Sequence, residues 1–308
     1  MAFGRSLLLA AARSRTLNDF ALRSAFVKRA TRTFMPGEHA KDALEAGAAI
    51  ASSGRGLIFT QLGEAISSTE AAVAVRDHYL WFFDQIRLRR LPAQVSVKPT
   101  QLGLDLSLAE CGRNLETLAA KAESVGSALW LDMEDSSYVD RTLDLYVALM
   151  KNHPSTGIAL QAYLRRTPGD LARLMPLKPV IRLVKGAYNE PSGKAFAKKG
   201  NTDRAYYDLA TQMLDAARTD MCAPVFGTHD LGLIARIVGQ ATASGVGKQK
   251  YQIHMLYGIR DSAQRHLVAE GHIVKTLVSY GSAWYRWYMR RLAERPANVL
   301  FVAKSLFG

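Results

Sequence analysis

The chain has 308 residues, 48% of them hydrophobic and 22% charged, with a formal net charge of +13. That size and balance suit one large α/β domain with a substantial core and leave no need for a separate module. Two cysteines, Cys111 and Cys222, share no motif spacing; this excludes a disulfide framework or a thiolate metal site, and both read as small buried hydrophobes in a reducing compartment.

The positive charge has no evident nucleic-acid target. Lysines and arginines are scattered, and no basic-aromatic RNA-binding signature, zinc-finger spacing or helix-turn-helix pattern accompanies them. A solvated basic surface is expected, with anionic lipid the remaining partner and no nucleic acid. The opening stretch, "MAFGRSLLLAAARSRTLNDFALRSAFVKRATRTF", carries seven Arg or Lys before Phe34 and one acid, Asp19. It has a transit-peptide composition and also reads as one or two amphipathic helices. The expectation is a helical segment over residues 1–50 packed on a main domain over 51–308, in the cytoplasm, with membrane-surface association as an option. Mitochondrial targeting is the alternative. No run of about 18 apolar residues occurs, so no spanning helix is expected.

Eight strand-like runs follow in chain order: "GLIFTQLG", "QVSVKPT", "ALWLDMED", "GIALQAY", "VIRLVKGAY", "APVFGTHD", "QIHMLYG" and "IVKTLVSYG". Between them lie segments of helical periodicity with acidic or small residues at their starts, such as "LAECGRNLETLAAKAESVG" and "DLGLIARIVGQATASG". This alternation without an internal repeat predicts one (β/α)8 barrel of the TIM type. A doubly wound sheet competes, but neither G-x-G-x-x-G nor G-x-x-x-x-G-K-[ST] is present.

Side-chain parity selects a candidate site. In "VIRLVK", Val180, Arg182 and Val184 share one strand face, and Ile181, Leu183 and Lys185 the other. The same count at other strand ends collects Lys98, Asp132 and Gln161 with Arg182 at a barrel mouth. An uncompensated cation there is costly, so Lys98 and Asp132 are expected to pair. Each has a plainer reading: Lys98 as a surface residue before Pro99, Asp132 as a helix cap. Arg182, set between apolar strand residues, is hardest to place in solvent. The last stretch, "YGSAWYRWYMRRLAERPANV", reads as an aromatic-rich helix whose adjacent Arg290 and Arg291 stand about 100° apart, able to grip one carboxylate or to form a surface ladder.

Taken together, "FMPGE", "KPTQLGL", "WLDMEDS", "LQAYLRRT", "RLVKGAYNEP", "FGTHD", "MLYGIR" and "WYRWYMRRLAERPANV" resemble the proline dehydrogenase family in their order. The resemblance spans roughly residues 20–300. It implies a distorted (β/α)8 barrel with a C-terminal helix over its mouth. It also implies non-covalent FAD, oxidation of L-proline to 1-pyrroline-5-carboxylate by hydride transfer from ring carbon 5, and a quinone-type acceptor.

Carried over residue by residue, it assigns Arg290, Arg291 and Lys98 to the substrate carboxylate, and Asp132 to an ion pair with Lys98. Arg182 falls beside the flavin's reactive edge, Gln161 and Met133 against its ring system. Lys185, Gly186, Ala187, Thr228 and His229 fall near the ribityl-pyrophosphate portion, and Tyr188 and Leu256 around the substrate ring. Glu64 becomes part of a gate with the arginines. Gly186 would let the backbone turn and approach the cofactor.

Two positions depart from the family pattern. Leu277 stands where a tyrosine is usual, which weakens the expected exclusion of a ring hydroxyl; Tyr280 or Tyr285 are candidates to fill the space. His254 replaces a common glutamine and is read as a local substitution without a role. The alternatives are a dehydrogenase for hydroxyproline or another cyclic imino acid, a Schiff-base lyase using Lys98 or Lys185, and a non-catalytic basic protein binding membrane or nucleic acid.

Overall fold

Strands apolar on both faces cannot stand at a solvent edge; parallel strands joined by helices cover one face with the helices and turn the other into a barrel. The computed structural model describes residues 31–63, 66–285 and 287–289 and shows that solution. Helix α1 (Ala40–Ala51) precedes β1 (Gly56–Gln61), α2 (Thr69–Leu88), β2 (Ala93–Val97), α3 (Leu108–Ser124), β3 (Leu129–Leu131), α4 (Val139–Leu149) and β4 (Gly157–Gln161). There follow α5 (Thr167–Leu174), β5 (Val180–Val184), α6 (Lys199–Arg218), β6 (Ala223–Gly227), α7 (Leu231–Ala243), β7 (Gln252–Leu256), α8 (Asp261–Ala269) and β8 (Ile273–Tyr280). All neighbouring strands are parallel, and β8 closes on β1 over the register Gly56↔Lys275 to Gln61↔Tyr280. The eight strand-like runs of the sequence are thus the eight staves of the barrel.

Helices α2, α3 and α7 start where short polar side chains satisfy free N–H groups. Ser68 accepts from the Ala71 N–H at 3.2 Å, Ser107 from Glu110 at 3.3 Å and Asp230 from Leu233 at 3.2 Å. The outward strand residues, among them Leu57, Phe59, Val95, Leu131, Ile158 and Phe226, merge with the helices into one large buried cluster. Burying such side chains contributes about 1.5–3 kcal/mol each. Helix α1 joins this layer through Ala43, Leu44 and Ile50. Cys111 and Cys222 sit in it as free thiols, and burial pushes both up to about 12, as their small apolar reading requires.

The inner faces differ in character. Ile58, Trp130 and Val225 form a small cluster, with Val180 and Leu277 against it. Around them stand Ser96, Asp132, Gln161, Arg182 and His254. The parity expected for β5 holds, since Val180 and Arg182 both turn inward.

At the C-terminal ends of the strands, the segment before α1 meets the start of the C-terminal helix. Met35, Leu62, Trp284, Tyr285, Trp287 and Tyr288 bury one another, and the Trp284 indole donates to Glu38 at 3.0 Å. Because Leu62 directly follows β1 and Trp284 closely follows β8, this stretch lies over the barrel mouth. Arg290, Arg291 and Glu64 lie outside the described residues. No helix among the described residues is long and apolar enough to cross a membrane.

Candidate active site

Parity brings a set of polar side chains to the inner rim, and Arg182 is its centre. The residue is only 3% exposed. Its Nη2 donates to the Ser96 hydroxyl at 2.8 Å and to Asp132 Oδ1, while Ser96 in turn donates to the same carboxylate oxygen at 2.8 Å. The guanidinium carbon lies 4.8 Å from the centre of the Trp130 ring. Burial pushes the guanidinium below its usual pKa, and Asp132 opposes that shift.

The expected pairing of Lys98 with Asp132 is not formed. Arg182 reaches Asp132 from two strands away, because a buried guanidinium needs a counter-charge more than a lysine at a strand end does. Lys98, 7% exposed, precedes the 3-10 turn Pro99–Leu102 and has no carboxylate partner among the described residues. A buried ammonium of that kind is suited to an anionic ligand.

Gln161, 3% exposed, ends β4. Its amide donates to the carbonyls of Glu134 at 3.1 Å and Met133 at 3.4 Å, which orients the side chain. Glu134 also accepts from the Thr100 N–H at 3.1 Å and hydroxyl at 2.7 Å. The loops after β2, β3 and β4 are therefore tied together behind the rim, a function for Glu134 that its sequence context does not announce.

After β5 the chain turns at Gly186, whose φ is +109°, and a Cβ there would lie 2.1 Å from Tyr163 Cδ1. The turn is as expected; the close approach is to the Tyr163 ring. Lys185 is committed to Asp203 and Asp230, the latter at 2.9 Å. Burial alone would raise these two carboxyls, but Lys185 with its neighbours outweighs it and holds both below the usual range. The partly buried Ala187 and Tyr188 follow, and Glu190 straps the loop to Ser136, accepting from its N–H at 2.7 Å and hydroxyl at 2.6 Å. After β6, Thr228 accepts from the Asp230 N–H at 3.2 Å, and His229 Nε2 accepts from the Leu256 N–H at 3.4 Å. The β6 end is thereby joined to the β7 end.

Leu256 and Leu277 are register partners on β7 and β8. Both turn a leucine side chain to the inner face. Tyr280 does not fill the space near Leu277: it stacks on Phe82 at 5.2 Å and shares a 2.8 Å hydrogen bond with His78, on the outer face. Tyr285 packs in the aromatic cluster of the C-terminal stretch. Below the rim His254 is 4% exposed, with Nε2 3.1 Å from Gln252 Oε1 and Nδ1 without a hydrogen-bond partner. It is only half satisfied, and burial together with Arg182 and Lys275 holds it well below the usual histidine pKa.

Two buried polar atoms lack hydrogen-bond partners on the adjacent strands β4 and β5: Gln161 Oε1 and Arg182 Nη1. Such atoms are costly unless a ligand satisfies them. An acceptor and a cationic donor on neighbouring strands fit a planar heterocycle that presents both ring N–H and carbonyl groups, which is the edge chemistry of a flavin.

A family model described as "Proline dehydrogenase" matches residues 43–304. The chain is 32% identical over 302 residues to "Proline dehydrogenase 1" of Bacillus subtilis, covering 98% of each protein. To "Proline dehydrogenase" of Deinococcus radiodurans it is 34% identical over 282 residues, covering 89% of this chain and 88% of the relative. Among solved structures, proline utilization A from Bdellovibrio bacteriovorus, inactivated by N-propargylglycine, superposes with a TM-score of 0.81 at 20% identity. Proline utilization A from Corynebacterium freiburgense gives 0.73 at 20% identity. The matches cover 93% and 94% of this chain but only 38% and 33% of those longer chains, and at such identity the likeness shows the fold alone.

Proposed function

Because the chain belongs to the proline dehydrogenase family, we propose that it oxidises L-proline to 1-pyrroline-5-carboxylate with non-covalent FAD and a quinone-type acceptor. The observation that carries this reading is the buried rim set, in which Arg182, held by Asp132 and Ser96, and Gln161, held by Glu134, each keep one polar atom unpartnered. When bound, the flavin supplies the two-electron acceptor for the ring C–N bond of proline.

The chain's own residues supply the rest. Arg182 offers a fixed positive charge that needs no reorganisation when negative charge arrives beside it, and Gln161 offers an oriented carboxamide. Met133, assigned to the flavin ring by the resemblance, is buried in the apolar layer shared with the helices, and its carbonyl accepts from the Gln161 amide at 3.4 Å. Lys98, with Arg290 and Arg291, holds the substrate carboxylate and so fixes the ring's orientation. Tyr188, Leu256 and Leu277 bound the ring, and Glu64 belongs to the gate with the arginines. Lys185, Gly186, Ala187, Thr228 and His229 receive the ribityl-pyrophosphate portion, where Lys185 enters already paired with two aspartates.

Leu277 beside Leu256 favours one second reading, a cyclic imino acid bearing a ring hydroxyl. Of the two lysines open to a Schiff-base reading, Lys185 loses ground because two carboxylates hold it, whereas Lys98 has no carboxylate partner among the described residues and keeps that reading open. The test is direct: purified protein should be yellow or take up added FAD, and anaerobic L-proline should bleach it. Colourless protein that binds no FAD would sink the assignment.

A further inference from the structure

Beneath Arg182 lies an arrangement that the resemblance does not assign. Trp130, 1% exposed, enters the barrel interior from β3. Its indole N–H donates to Gln94 Oε1 at 2.8 Å, and its ring face lies under the Arg182 guanidinium at 4.8 Å. The indole has room because its register partner on β4 is Gly157: a Cβ there would stand 2.4 Å from Trp130 Cε3. On another side the His254 ring meets the indole at 5.4 Å and 73°, an edge contact. His254 is kept neutral by burial and by the cations Arg182 and Lys275, so it adds no like charge below the guanidinium.

Resting on the function proposed above, we infer that Trp130, seated on Gly157 and braced by the His254 ring, is a positioning residue that clamps Arg182 from below. Asp132 and Ser96 both hold Nη2, so hydrogen bonds anchor one corner of the guanidinium and none restrains the swing of Nη1. A flat aromatic face below removes this freedom and keeps Nη1 directed at the rim. Cation–π attraction in a desolvated site is strong enough for the task, and the π-face is indifferent to which way the guanidinium edge points, so hydrogen bonding and stacking act on separate degrees of freedom.

The test compares Trp130→Leu, Trp130→Phe, Gly157→Ala and the double variant Trp130→Phe/Gly157→Ala in the FAD-loaded protein. Expected for Trp130→Leu is a fall in kcat for proline oxidation of at least about fivefold with KM within about twofold, because the carboxylate contacts are made elsewhere. The midpoint potential of the bound flavin should move negative in the same variant, since the positive charge is less well held. Gly157→Ala, whose Cβ would clash with the indole and displace it, should reproduce both effects. The smaller ring of the double variant should restore them in part. Folded Trp130→Leu and Gly157→Ala proteins with unchanged kcat and unchanged potential would overturn the inference, even if they melt earlier, because Trp130 would then be packing alone. Should Trp130→Leu not accumulate folded, Trp130→Phe and Gly157→Ala decide by the same two readouts. A wild type that takes up no FAD would instead overturn the functional reading, and this inference with it.

Discussion

Replacing Asp132 by asparagine keeps the shape of the side chain and removes its charge, so it isolates the electrostatic part of the Arg182 clamp. Arg182 has 4% of its side chain exposed and Asp132 has 21%, which places the pair mostly out of water. Removing one partner of a buried pair costs about 3–5 kcal/mol, and the partial exposure of Asp132 reduces this to about 2–4 kcal/mol. With an unfolding entropy of about 2 cal/mol/K per residue, 1 kcal/mol is worth roughly 1.5 °C in a chain of 308 residues. Asp132→Asn should therefore lower Tm by about 3–6 °C in calorimetry. The double variant Asp132→Asn/Arg182→Met should be less destabilised than the sum of the two single changes by at least about 1.5 kcal/mol, because it leaves no orphaned charge. Additivity within about 0.5 kcal/mol would refute the reasoning, since the two groups would then be energetically independent.

Away from the site, His153 bonds Glu123 at 2.8 Å and Glu116 at 3.1 Å. Burial alone would lower its pKa, but the two carboxylates outweigh it and raise the value above the ordinary one. Its stabilisation is therefore fully present below about pH 6.5 and is lost as pH rises through the raised folded-state pKa. The Tm gap between wild type and His153→Gln should shrink from about pH 6 to about pH 9, and a constant gap would contradict the linkage. Leu277→Tyr should shift the kcat/KM preference for proline over 4-hydroxyproline by roughly 10- to 200-fold. A change under about threefold would remove residue 277 from the specificity wall. Arg290→Met or Arg291→Met should each raise KM for proline at least about tenfold in steady-state assays, as expected for a lost charge-assisted contact. Unchanged KM in both would return the dyad to the surface.

Periodicity made the barrel legible because each strand-like run had its own length and each intervening segment its own helical pattern. Alternation along β5 also put Arg182 on the correct face without any knowledge of its neighbours. The partner of Asp132 was not legible, since contact between β5 and β3 depends on barrel stagger, which no single strand encodes. The fit of Trp130 over Gly157 is likewise a property of register between strands. Tyr280 was open to a better reading: it has the opposite parity to Leu277, and alternation alone turns it to the outer face.

Barrel closure also has a consequence for how the chain acquires its structure. β1 must pair along its whole length with β8, about 220 residues later in the sequence. At roughly 5–20 residues per second, β1 emerges from the ribosome some 10–40 s before that partner exists. During this interval the apolar run "GLIFTQ" presents an unpaired edge, a template for pairing with another chain. The barrel has no free edge once complete, so its exposure to aggregation is concentrated in synthesis and refolding. Occupation of β1 by a holdase in that window would protect yield without altering the finished molecule.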